Sequence, residues 1–401
     1  MLFINQNPLI STMNVSIHRV GVALLSLLFF IETTATAQET DASVLAKGAY
    51  IEGGLSALQA VVPKGELPGK KLPFYTRSDG GERYLVGGLV VNMMARAADT
   101  GDLYEWTVIT GGKGAMLPSH THAQTHEAIM VLDGEVELWL ADKHYRLIKG
   151  DFASVPPGIP HAFKMMAHHT QLVSMTNGNQ MGALYRSLGK PYAGYVQPSD
   201  EVPALDQVIL KNAERVADVR FDSKPLASGN TERVTNAQLP KSAVPYVLAV
   251  GEGDHYTIGN ELFGVLCDNA TTNNKLLVVT TEGPATQMII KHYHLKHSEA
   301  FFCIDGQLRM IANQSTIDAY PGDFVSVPAG TIHAYQLIKP YTRFMGLLTP
   351  GIFELFFRSQ KPYSQHVYPQ GPGGPPNFSR MAELDLVPLE MPGPPPGAPK
   401  H

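Results

Sequence analysis

The chain has 401 residues, a formal net charge of -5, a pI near 6.3, and a composition 44% hydrophobic and 17% charged. That length carries two domains with cores of their own, and the charge excludes the basic footprint of a nucleic-acid binder.

After His18-Arg19 an apolar run, Val20 to Ile31, leads through polar residues to Ala35-Thr36-Ala37. The run is shorter than the roughly 20 residues of a membrane span, and small-x-small marks a cleavage site. Residues 1–37 therefore read as a signal peptide, and the mature chain is expected to be secreted, extracellular and free of the membrane. An uncleaved anchor is the alternative. Secretion makes Asn269, Asn313 and Asn377 candidate glycosylation sites, Asn313 above all because it falls in an expected hairpin turn. Cys267 and Cys303 are the only cysteines. The compartment permits one bridge, but two buried thiols in strands are the preferred reading.

Residues 38–79 form an arm with little periodicity. The first repeat spans 80–195 and the second 246–366. Between them, 196–245 is a more polar linker segment, with a helix expected over Asp206 to Val219 and linker over Pro240 to Pro245. Residues 367–401 form a Pro/Gly-rich tail that is expected not to join a sheet. Within each repeat, short apolar or alternating runs are punctuated by turn residues. Examples are Asp133-Gly134 and Lys149-Gly150-Asp151 in the first, and Asp305-Gly306 and Pro321-Gly322-Asp323 in the second. No segment keeps a long helical period. The fold class is therefore all-β, with two tandem jelly-roll β-barrels arising from an internal duplication.

The chemistry sits in two sets related by a constant offset of 172 residues: His120, His122, Glu127 and His161, and then His292, His294, Glu299 and His333. Alternate residues of a strand share a face, so His-x-His can point inward together, while the glutamate and the last histidine arrive from other strands. Three imidazoles and a carboxylate suit a divalent transition metal. Without a metal, such a cluster buried twice would be hard to satisfy. His126, His297, His144 and His168-His169 lie off the motif and read as surface or packed residues, although a supporting role is open for His126 and His297. Trp106 and Trp139 read as core aromatics.

These segments are similar to the two motifs of the cupin superfamily, and the chain resembles a bicupin, most nearly the quercetin 2,3-dioxygenases. Gly150-Asp-Phe-Ala-Ser-Val-Pro156, Gly322-Asp-Phe-Val-Ser-Val-Pro328 and Thr349-Pro-Gly-Ile-Phe-Glu-Leu-Phe356 carry that likeness. The resemblance implies one divalent transition metal per cupin, with copper or iron favoured and manganese, nickel or cobalt also compatible. It further implies a flavonol substrate whose 3-hydroxyl proton passes to the motif glutamate, Glu127 or Glu299. O2 then cleaves the heterocyclic ring and CO leaves. A homodimer is compatible with the family. The alternatives are a manganese oxalate decarboxylase or oxidase, whose lid motif is not found here, and a non-enzymatic metal-binding cupin. Fungal relatives keep the ligand set in the first cupin alone, whereas both sets are complete here. The second copy has Thr286 and Ile290 where the first has Gly114 and Pro118, so the first cupin is the preferred working site.

Overall fold

The computed structural model describes residues 59–61, 67–198, 205–222, 226, 231–233, 238–371 and 373–389. The expected signal peptide, most of the arm and the last residues of the tail lie outside them. Among the described residues no helix is long and apolar enough to cross a membrane.

Each repeat folds as two facing antiparallel sheets, a jelly roll whose sheets do not close into a cylinder. In the first repeat, strands Tyr104–Gly111, Glu127–Asp133, Phe152–Val155 and Thr170–Asn177 share one sheet. Met116–Thr121, Glu135–Leu140, Lys143–Ile148 and His161–Met165 share the other. The period-two pattern of Glu135–Leu140 buries every second residue, as the sequence predicts. Gly134 turns the chain at φ 74°, and a Cβ there would stand 2.5 Å from the His169 carbonyl oxygen, so the turn requires glycine.

The domain edges differ from the expectation. Phe74–Thr76, placed in the arm, pairs with Phe324–Val327 of the second cupin, Phe74 opposite Ser326. Tyr246–Leu248, placed in the second cupin, pairs with Phe152–Val155 of the first, Tyr246 opposite Ser154. The two short strands obey the same 172 offset, so the duplication reaches further toward the N-terminus than its motifs reveal, and each copy lends a short N-terminal strand to the other. Between the two large sheets lies a shared core. Trp106 is fully buried there, 5.5 Å from the Phe302 ring and 5.3 Å from that of Phe324. Trp139, by contrast, is only half-buried and stacks on His144 at 4.4 Å. Cys267 and Cys303 are buried and unbridged.

The linker contains the expected helix, Gln207–Val216, capped by Asp206, whose carboxylate accepts from the Ile209 N–H. Leu210 and Ala213 enter the first cupin's core. Arg220–Phe221 then adds to the strand carrying His120. The tail does the same for the second cupin, contrary to expectation. Val387–Pro388 pairs with His292–Tyr293, and Leu384 and Leu386 pack on apolar side chains below. Proline is tolerated because this strand is a sheet edge, where one face needs no N–H. Asn313 does occupy its hairpin turn, at φ 51°, yet its side chain is buried with its amide nitrogen unpartnered, so attachment of a glycan there would require opening the turn. Asn377 is exposed.

Candidate metal centres

In the first cupin, His120 and His161 lie opposite each other on paired strands, and Glu127 opens the strand that follows the His122 loop. One ligand atom from each of His120, His122, Glu127 and His161 falls within 4.8 Å of the others, and all four residues are buried. Every ring is oriented through Nδ1. His120 donates to the Pro118 carbonyl at 2.8 Å, His161 to that of Ile159 at 3.0 Å, and His122 to that of Asp218. That choice leaves each Nε2 as a lone pair aimed at the common centre, and the Nε2 atoms of His120 and His122 have no partner. Glu127 Oε2 stands 3.0 Å from His161 Nε2. Two acceptors at that distance require a cation or a proton between them. Burial works against ionisation of Glu127, but its hydrogen bond to His161 and the fields of His161, His122 and His120 outweigh that and hold its carboxyl at about 2. Burial, with the neighbouring imidazoles, pushes His120 well below the usual histidine range. An ionised carboxylate among lone-pair donors is a fit for a divalent transition ion.

The second centre repeats the histidine geometry. His292 donates to the Ile290 carbonyl at 2.9 Å, His333 to that of Thr331 at 2.9 Å, and His294 to that of Asp385. The carboxylate differs. Glu127 is held by the Ser174 hydroxyl at 2.5 Å, whereas the offset places Gly346 opposite that serine and His297 opposite Thr125. His297 Nε2 stands 3.4 Å from Glu299 Oε1, and its Nδ1 stands 2.8 Å from Asp385 Oδ2. Burial opposes charging of His297, but Asp385 and Glu299 together raise its pKa. The candidate ligands accordingly form two overlapping groups: His292, His294 and His333, and then His294, His297 and Glu299. His297 reads as a packed residue in the sequence because its partner Asp385 is 88 positions away.

Asp385 and Asp218 are equivalent clamps. Asp218 accepts from the backbone N–H groups of Ala123, Gln124 and Thr125, and Asp385 from those of Leu295, Lys296 and His297. Each rigidifies the loop between the second histidine and the glutamate. Neither aspartate lies near its motif in sequence.

The surroundings separate the two centres further. Beside the second lies a cavity of about 390 Å³ that reaches His292, Glu299 and His333 and is otherwise walled largely by apolar groups, including Phe263, Met288, Phe301, Phe353 and Phe378. In the first cupin the offset positions are Val91, Met116, Ile129 and Met181. Val91, Ile129 and Met181 are fully buried in one contiguous core with Tyr185 and Leu184, to which Leu210 of the linker helix also belongs. His292 and Glu299 retain 8% and 6% exposure, against 0% and 2% for His120 and Glu127.

A cupin-domain family model matches residues 107–171 and 278–340, one stretch in each repeat. The chain is 42% identical over 309 residues to the quercetin 2,3-dioxygenase of Bacillus subtilis (strain 168), covering 76% of this chain and 91% of the relative. The protein belongs to the quercetin 2,3-dioxygenase family. Its bicupin architecture and its standing as a dioxygenase-type enzyme follow from that membership. The quercetin 2,3-dioxygenase of Aspergillus japonicus is 28% identical over 131 residues, and the match spans 36% of that protein. Among solved structures, a Lactobacillus farciminis oxalate decarboxylase in complex with formate superposes with TM-score 0.47 at 13% identity, over 69% of this chain and 86% of that one. For this quercetin 2,3-dioxygenase homologue, the two buried His/Glu clusters are the places where a metal could be held, one set in each cupin.

Proposed function

We propose that the protein is a secreted flavonol dioxygenase in which the second cupin performs turnover and the first holds a closed, structural metal centre. The observation that carries this reading is the apolar cavity that ends on His292, Glu299 and His333. A chamber with aromatic walls and one polar end suits a flat polyphenol bound by its enol edge. The doubly charged oxalate ion would need cationic walls, which this lining does not supply. Secretion rests on the apolar run and small-x-small site before residue 38.

His292, His294, His333 and Glu299 would hold the metal, with copper or iron the first candidates. Such an ion, when bound, stabilises the anionic form of an enol. The protein's own part is positional and proton-handling. Glu299 is held ionised because His294, His297 and His333 overcome the effect of its burial, and its carboxylate faces the chamber to take the 3-hydroxyl proton. His297, beside it, supports the carboxylate as the proton arrives. The phenylalanine walls exclude water from the carbanionic ring while O2 adds across C2 and C4, after which CO leaves and the ester product remains.

The test is CO release and product formation from quercetin in air, with Glu299→Gln and Glu127→Gln compared at equal metal content. Glu299→Gln is expected to lose roughly 10²–10⁴-fold in kcat, and Glu127→Gln to stay within a few-fold of the parent. The opposite ranking would return turnover to the first cupin. CO2 release from oxalate without CO from quercetin would replace the reading altogether.

A further inference from the structure

One polar pair in the second chamber has no counterpart in the first. Glu261 begins the strand Glu261–Cys267, is 7% exposed, and accepts a hydrogen bond from the Tyr335 hydroxyl at 2.8 Å. Both residues line the cavity that reaches His292 and Glu299. The 172 offset places Leu89 and Phe163 at these positions in the first cupin, where both are buried in its core. A carboxyl group in an apolar wall is costly unless it is satisfied, and Tyr335 supplies one donor to a group with acceptor capacity for several. Glu261 belongs to none of the candidate metal clusters among the described residues. It lies three strands from Glu299 in the same sheet, about 14 Å across the strands at the usual spacing. Burial pushes its carboxyl up to about 7, partly offset by the Tyr335 hydrogen bond.

We propose that Glu261, oriented by Tyr335, is a specificity-determining residue that accepts a hydrogen bond from a phenolic hydroxyl on the part of the ligand remote from Glu299. The ligand class is thereby narrowed to planar aromatics that carry an enol at one end and a phenol donor at the other. This rests on the flavonol reading for the nature of the ligand but not for its oxidation. A carboxylate acceptor rewards a hydroxyl donor and penalises an analogue that lacks one, because the buried oxygen is then left without its partner.

The experiment is anaerobic binding of quercetin and of 3-hydroxyflavone, which shares the enol and lacks the other hydroxyls, to the full-length metal-loaded protein, followed by fluorescence. The parent is expected to bind quercetin at least about 10-fold more tightly. Glu261→Leu, the first cupin's own residue, should weaken quercetin by roughly 10- to 100-fold while 3-hydroxyflavone changes by less than about 3-fold. Glu261→Met serves the same purpose should the leucine variant not fold, and Glu261→Gln, which keeps an acceptor, should retain most of the preference. Equal losses for both ligands, no loss for either, or a parent that binds neither would overturn the assignment. Binding with the expected pattern but without CO in air would defeat the dioxygenase reading and leave the role of Glu261 standing.

Discussion

Six imidazoles across the two centres each commit Nδ1 to a backbone carbonyl, and the carbonyl alone decides where Nε2 points. For four of them the carbonyl belongs to the residue two positions earlier, so a strand that places the histidine also aims it. For His122 and His294 it comes from Asp218 and Asp385, and aim depends on a remote segment. Glu261 is a residue of the opposite kind, kept at the expense of stability. Its pKa in the fold, about 7, lies above the 4.5 of the free group. The folded state therefore holds the proton more tightly, and the group's favourable contribution is full below about pH 4.5 and is lost as pH rises to about 7. Relative to Glu261→Gln, the parent should lose on the order of 3 kcal/mol across that window and stay level above it. Denaturant melts of both proteins from pH 4.5 to 8 would read this, and a difference independent of pH would contradict it.

At the scale of elements, the segments that follow each jelly roll matter as much as the strands inside it. Arg220–Phe221 and Val387–Pro388 extend the sheets that carry His120 and His292, and the aspartate just before each strand gathers three backbone N–H groups of the ligand loop. Asp385→Ala should loosen that loop, unpair His297 and displace the carbonyl that orients His294. Supporting contacts of this kind are typically worth roughly 10- to 100-fold in metal affinity. Metal content after dialysis should fall by about one ion per chain while the first centre keeps its own. Asp218→Ala should do the converse, and equal loss from both centres in either variant would show that the clamps are not local. The linker helix adds a difference between the halves, since Leu210 and Ala213 pack into the first cupin's core while the tail's Phe378 and Leu386 line the second cupin's cavity.

Over the whole molecule, the cupins are not beads on a string. Each contributes a short N-terminal strand to the other's sheet, and Trp106, Phe302 and Phe324 meet in a core common to both. Truncating Trp106 to alanine should cost about 3–5 kcal/mol. The shared core predicts that both halves unfold together, so calorimetry should record one transition at a lower Tm. Two separated transitions in the parent protein would mean that the exchanged strands and shared core do not couple the halves. Chelation should lower Tm as well, because it leaves buried carboxylates facing lone pairs.

The two His/Glu motifs, the duplication and the all-β class were legible because they depend on local rules. Strand alternation, turn glycines and the His-x-His spacing are all written within a dozen residues, and a constant offset exposes the copy. Long-range pairing left no such trace. Nothing near Asp218 or Asp385 marks either as a clamp, His297 acquires its role only when the tail returns to it, and the proline-rich tail hid a strand because an edge position tolerates what a central one does not. The preference for the first cupin followed from motif likeness, but whether a metal site opens onto a chamber depends on which side chains fill the jelly roll. Sequence alone determined that this protein carries two His3Glu sets in two related β-folds. Only the tertiary structure decided that the second set faces an apolar cavity, while Val91, Ile129 and Met181 beside the first lie buried in its core, because empty space is a property of packing across many strands and of no single one.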